Sequence, residues 1–316
     1  MIIACASLHF DSTQHNKSRL TLLGQLETFI LYVMTNLTMH KIFPCRSVTR
    51  LLSPSNFTHI CPFSATYFPT SKAFAKAGKT YTFRADPKYA SILSDAGVDV
   101  VTHANNHAVD FVGGIAHTRR AVTDHGMQYV GNGSAKIVEQ GGVKVGFCAF
   151  DLSGRYSSVR IKTTLSKLKK KCDLVVVSFH WGQNYKYEAS SKQRRIGQMA
   201  IRSGADLVLG HSSHVLSGVE KYRGKYIFYG LGTFSSAIKT PKDMDTVLAS
   251  IKYEFDPTNM NIETTEVTLV PYRMSSDPKI NDACPTILDG TDRARVLKKI
   301  RKYSKGFSTL PKRCFQ

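Results

Sequence analysis

Residues 173–182 read Asp-Leu-Val-Val-Val-Ser-Phe-His-Trp-Gly. A continuous apolar run with a single serine, closed by glycine, is the pattern of a strand buried on both faces. The run ends on His180. Two other stretches are built the same way. Val98-Asp99-Val100-Val101 leads into Thr102-His103-Ala104-Asn105-Asn106-His107, and Asp206-Leu207-Val208-Leu209 leads through Gly210 into His211-Ser212-Ser213-His214. In α/β sheets, sites form at the carboxyl ends of strands. Neutral imidazole is the commonest metal-ligating side chain near neutral pH, and an amide oxygen is a workable hard ligand. Each cluster alone fits structural histidines or turn chemistry. Three strand ends that bring His and Asn to one sheet edge point instead to a metal site.

The segments between these strands read as helices. Asp86-Pro87 opens one, because Asp accepts from free N–H groups and Pro suits the first helical position. Ala90, Leu93 and Ala96 form its apolar stripe, and Gly97 is its left-handed stop. A second helix is expected over 114–125, with Ile115 and Val122 inward and Gly126 closing it. Others are expected near 163–171 and 190–203. Strands are expected over 143–150, 225–231, 246–255 and 263–272. A basic helix over 291–303 ends the fold, with Val296, Ile300, Tyr303 and Phe307 at helical spacing. Alternation of strand and helix implies an α/β fold with parallel pairing in its core.

The chain has 316 residues, 42% of them hydrophobic, so wholesale disorder is excluded and a core needs no disulfide or structural metal. Seven cysteines without a C-x-x-C argue against a disulfide framework and a zinc ribbon. With 43 Lys+Arg against 23 Asp+Glu the net charge is +20, which suits an anionic partner. No RRM, KH, helix-turn-helix or finger pattern accompanies that charge, so no specific nucleic-acid binding is expected. The apolar stretch Phe29–Met34 is too short to span a membrane and too far from the start for a tidy signal peptide. Membrane association stays open as a weak signal-anchor.

Three stretches carry a family resemblance: YTFRADPKYASILSDAGVDVVTHANNHAVDF (81–111), SFHWGQNY (178–185) and SGADLVLGHSSHVLSGVEKYRGKYIFYGLGTF (203–234). Together they resemble the CapA poly-γ-glutamate capsule-biosynthesis family of the calcineurin-like metallophosphatase superfamily, over residues 79–305. The resemblance implies a metallophosphatase-like sandwich of two β-sheets flanked by helices. It implies Asn106, His180, His211 and His214 as metal ligands and His107 as the acid. It also implies two divalent ions, with Mn, Fe or Zn favoured over Mg by the nitrogen-rich sphere. The expected substrate is anionic, either poly-γ-glutamate or a phosphate ester, and the family's location is membrane-associated or extracytoplasmic.

The chain also departs from the family. Members open with a strand ending in Gly-Asp and then an Asn-Leu-Glu segment, which supply acidic ligands. Residues 1–78 contain neither, and their only acids are Asp11 and Glu27. That segment is therefore expected to be atypical and not the family's native start, with its strands missing or replaced. Residues 306–316 read as a basic tail. Asn184 replaces a Glu that often follows His-Trp-Gly, and Thr233 replaces the Asn of Gly-Asn-Phe. Two function classes follow: a metal-dependent hydrolase, or an inactive remnant that binds a polyanion or an assembly partner.

Overall fold

The computed structural model describes residues 82–140, 142–236, 243–256 and 261–307, together with the backbone of strands Glu27–Val33 and His59–Ile60. Two β-sheets make up the fold. Sheet I has seven strands in the order β13-β12-β11-β1-β2-β3-β4 and sheet II six, in the order β5-β6-β7-β8-β10-β9. Sheet I comprises β1 (Glu27–Val33), β2 (His59–Ile60), β3 (Val98–His103), β4 (Gln128–Gly131), β11 (Asp245–Asp256), β12 (Asn261–Arg273) and β13 (Thr286–Ile287). Sheet II comprises β5 (Ala135–Gln140), β6 (Val143–Asp151), β7 (Leu174–His180), β8 (Leu207–His211), β9 (Val219–Tyr222) and β10 (Lys225–Phe228). The central pairs β1–β2, β2–β3 and β3–β4 are parallel, as are β6–β7, β7–β8 and β8–β10. Strands β1, β11, β12 and β13 of sheet I pair antiparallel in turn, as do β5 with β6 and β9 with β10 in sheet II. This is the α/β fold with a parallel core that the strand–helix alternation predicts, arranged as the two-sheet sandwich that the family resemblance implies.

Strands β7 and β8 bury both faces, which explains their unbroken apolar text. Val176, Leu207 and Leu209 of sheet II share one core with Val100, Val247, Ala249, Ile251 and Leu269 of sheet I. On the outer face of sheet II, Val175, Val177 and Phe179 pack under helices α3 (Ser158–Lys169) and α4 (Ser191–Arg202). Ile161, Leu165 and Leu168 form the buried stripe of α3; each such side chain contributes roughly 1.5–3 kcal/mol on burial. On the outer face of sheet I, Leu93 of α1 (Ser91–Asp95) and Val122 of α2 (Gly114–Asp124) cover Val98 and Val101. Helix α5 (Gly290–Tyr303) sends Val296, Leu297 and Ile300 into the core between the sheets.

Local signals explain most boundaries. Asp86 accepts from the Lys88 N–H, Pro87 starts a short 3₁₀ turn that runs into α1, and Gly97 stops it at φ 75°. Helix α4 carries a capping box, with Ser190 and Gln193 bonding each other's backbone N–H. Helix α3 begins at Ser158, ahead of the expected 163, because the Ser157 hydroxyl accepts from the Arg160 N–H and caps it there. In α2 the inward face is Thr118, Ala121 and Val122, and Ile115 is 40% exposed instead of inward. Strand β10 stops at Phe228 instead of continuing to 231.

The N-terminal segment corrects one reading. The apolar stretch around Phe29–Met34, considered above as a weak anchor, is strand β1, paired antiparallel with β11 and parallel with β2. It lies between β11 and β2, and β2 in turn pairs with β3. No helix among the described residues is long and apolar enough to cross a membrane. Asp11, the rest of 1–81 and the tail beyond Phe307 lie outside the described residues. Cys148 and Cys172 are free and buried, whereas Cys284 is disulfide-bonded.

Candidate functional site

The carboxyl ends of β6, β7 and β8 line up in register. Asp151 pairs with His180, and His180 with His211. Direct partners in a sheet share a face, and side chains two residues apart along a strand do too. Val176 and Leu209 on that face lie in the core between the sheets. Asp151, His180 and His211 therefore form a row at the open end of the sandwich, on its inner side.

His180 and His211 are 3% and 2% exposed, with Nδ1 atoms 3.3 Å apart. Burial pushes both imidazoles well below their ordinary pKa, and the neighbouring histidines add to this. Both rings are neutral at pH 7. The Ser178 hydroxyl lies 2.8 Å from His211 Nε2, and Thr102 Oγ1 of sheet I reaches Ser178 Oγ at 3.5 Å. A hydroxyl chain thus crosses the sandwich and fixes the far side of the His211 ring.

His214 sits three residues beyond His211 on a loop that turns sharply, with Ser212 at φ 99° and His214 at φ 60°. The Tyr185 N–H donates to the Ser213 carbonyl at 2.7 Å and pins that loop. His214 Nδ1 is 3.3 Å from Thr233 Oγ1, so Thr233 orients this ring. Burial is the main cause that lowers the pKa of His214 to about 3, with a smaller electrostatic contribution from His107. His107 acts on His180 in the same way, which places the three rings within electrostatic reach of one another.

His107 is held from behind. Its Nδ1 is 2.9 and 3.1 Å from the two oxygens of Asp110, a fully buried carboxylate that also accepts from the Phe83 N–H at 2.9 Å. An ionised carboxylate only accepts, so Nδ1 carries the proton and Nε2 is turned outward. Phe83 meets the ring edge-on at 4.6 Å. The Asn105 side chain accepts from the His107 N–H at 2.8 Å and shapes the turn. Asn106 is exposed at the apex of that turn.

Of the five residues expected in the site, His180 and His211 are in contact, His107 and His214 are close by, and Asn106 is exposed beside His107. His103, also in the clustered histidines, belongs elsewhere. Its Nδ1 is 2.8 Å from the Tyr129 hydroxyl, its Nε2 has no partner, and burial lowers its pKa to about 4. Sequence reasoning passed over Asp110, Ser178, Thr102 and Asp151. Asp151 carried a usable signal, since it ends an apolar strand as His180 and His211 do. Its Oδ1 accepts from the Ser153 N–H and hydroxyl at 2.9 and 2.7 Å.

The fit to a divalent ion can be tested on these distances. Two nitrogens bound at ~2.05 Å to one tetrahedral ion stand ~3.3 Å apart. The His180–His211 pair matches that edge, and Ser178 holds the second nitrogen of His211 as a ligand's outer partner does. The pair fits part of an ion's sphere. Among the described residues, no group of three or more His, Cys, Asp or Glu is spaced to hold a metal ion.

A family model described as "Bacterial capsule synthesis protein PGA_cap" matches residues 44–237. "PGA biosynthesis protein CapA" of Bacillus subtilis (strain 168) is 32% identical over 186 residues, 52% of this chain and 49% of that protein. "Capsule biosynthesis protein CapA" of Bacillus anthracis is 31% identical over 189 residues, 52% of this chain and 46% of that protein. The chain thus spans about half the length of these curated relatives. A solved structure described as a novel phosphatase, from Mycoplasma pneumoniae, aligns with TM-score 0.41 and 16% identity, covering 67% of this chain and 79% of that one.

Proposed function

The chain belongs to the bacterial capsule synthesis protein family PGA_cap, and from that premise we propose that it hydrolyses an anionic substrate, poly-γ-glutamate or a phosphate ester, at a metallophosphatase-type centre of two divalent ions. One observation carries this reading: two neutral, buried histidines end adjacent parallel strands with their Nδ1 atoms at a ligand–ligand distance. The two rings are tilted by 51° with their Nδ1 atoms turned to one another, a contact that either a shared proton or an ion would satisfy.

Asn106, His180, His211 and His214 would hold the metal. Manganese, iron and zinc suit this nitrogen-rich set better than magnesium. When bound, such ions supply charge stabilisation and an activated water. The chain's own residues do the rest. Ser178 keeps the His211 ring in place, and Thr233 does the same for His214. Asp110 keeps His107 in the tautomer with its proton on Nδ1 and stabilises the ring once Nε2 is also protonated. His107 then delivers the Nε2 proton to the leaving oxygen or nitrogen as its bond breaks. Hydrolysis of a generic phosphate ester that requires manganese and disappears in His180→Ala supports this account; equal turnover by the variant contradicts it.

A second reading rests on the absence, among the described residues, of a three-ligand group. A fold that keeps the site's histidines without acidic ligands would act as an inactive member that binds a polyanion or an assembly partner. Binding of polyglutamate that is indifferent to metal, with no hydrolysis under any metal, distinguishes it.

A further inference from the structure

Sheet II carries a cavity of about 740 Å³ at its carboxyl edge, on the helix side of the strands and across from the histidine row. Crevices at strand carboxyl ends are where α/β sheets place ligands, and this volume suits a small molecule or a chain end. Its floor is apolar and rigid. Leu152, Trp181 and Ile196 are all buried. Trp181 stacks against Phe179 at 4.9 Å and Tyr229 at 5.8 Å, and its Nε1 donates to the Tyr229 carbonyl at 3.1 Å. Leu152 and Trp181 directly follow Asp151 and His180, so the floor begins one residue from the histidine row.

The rim is charged. Lys186 and Glu188 come from the loop after β7 and Lys192 from the first turn of α4, and all three are exposed. None of them forms an ion pair among the described residues. Lys192 reaches over the Tyr156 ring at 4.9 Å, which holds its stem beside the opening. Two ammonium groups and one carboxylate over an apolar floor complement a ligand with two carboxylates, one ammonium and a short hydrocarbon spacer. The middle of an unbroken polyanion would be repelled by Glu188. The amine end of an acidic chain would not, because there an ammonium accompanies the carboxylates.

We propose that this cavity seats the amine-bearing end of an acidic oligomer, with Lys186 and Lys192 on two carboxylates and Glu188 on the terminal ammonium. This rests on the reading of an acidic polymer as substrate and adds where its end is held. Calorimetric titration of the full chain with a γ-linked glutamate tetramer, in chelator, tests it without any metal. The tetramer binds the unmodified chain, and the double variant Lys186→Glu/Lys192→Glu binds at least tenfold more weakly. The charge-matched control Lys167→Glu/Lys170→Glu, at the C-terminal end of α3 and outside the cavity, keeps its affinity. Acetylating the tetramer's amine weakens binding severalfold, and Glu188→Gln removes that difference. Binding that ignores Lys186→Glu/Lys192→Glu, or ignores acetylation, overturns the cavity assignment while leaving the acidic-polymer reading in place. No tetramer binding at all overturns both.

Discussion

Asp110 and His107 form a carboxylate–imidazole pair in which a fully buried acid grips Nδ1 at 2.9 Å and leaves Nε2 on the opposite side of the ring. Because His107 is proposed as the acid, its tautomer and charge depend on this contact. In Asp110→Asn the amide can donate to Nδ1 and invert the tautomer. Turnover of a phosphate ester should fall by about 10²–10⁴-fold. Metal content and the unfolding midpoint should change little, which separates a proton-transfer role from a structural one.

Ser178 supports the proposed metal ligand His211. Removing its hydroxyl in Ser178→Ala frees the His211 ring to rotate and leaves a buried Nε2 without a partner. Metal affinity should drop by about 10–100-fold, the usual cost of losing a ligand's outer partner. Competition with a colorimetric zinc chelator measures this. Ser178→Thr, which retains a hydroxyl, should recover most of the affinity.

Asp245, at the start of β11, anchors α5 to sheet I. Arg295 donates to its two oxygens at 2.7 and 2.8 Å, and Lys299 also donates to it. Burial opposes ionisation of this carboxyl, yet the hydrogen bonds from Arg295 and Lys299 hold its pKa below the ordinary value. A carboxylate depressed in the folded state contributes stability above its unfolded pKa of roughly 4, and that stability is lost as pH falls through the folded value. Arg295→Ala should therefore cost about 1 kcal/mol at pH 7, modest because Arg295 is half exposed, and progressively less as the pH falls through the folded pKa of Asp245. Urea midpoints measured from pH 7 downward check this.

Gly210 precedes His211 and has no room for a side chain. A Cβ there would run into Trp181 Nε1 and the carbonyls of Phe228 and Tyr229. Gly210→Ala should destabilise by about 3 kcal/mol or more, since two of the obstacles are backbone. Thermal unfolding reads the loss, and Trp181 fluorescence reports the displaced ring.

The sequence showed the site's strands because they are buried on both faces: apolar runs such as Val175–Val177 cannot be mistaken for loops. It showed the histidines because they stand at the end of such a run or within six residues of it. Ser178 and Thr102 were invisible for the same reason, as isolated polar residues inside apolar text; only register reveals that they meet across two sheets. Strand β1 was read as an apolar stretch because its pairing with β11 spans more than two hundred residues and no local signal announces it. Ile115 was placed inward by hydrophobicity alone, while the actual stripe of α2 uses Thr118 and Ala121.

The central claim is that His180 and His211 hold a metal ion. The most direct test is metal content per purified chain by mass spectrometry, after dialysis against metal-free buffer, for the unmodified chain and for His180→Ala/His211→Ala. The account predicts at least one transition-metal ion per unmodified chain and none in the double variant. A metal-free unmodified chain, or equal metal in both, would contradict it.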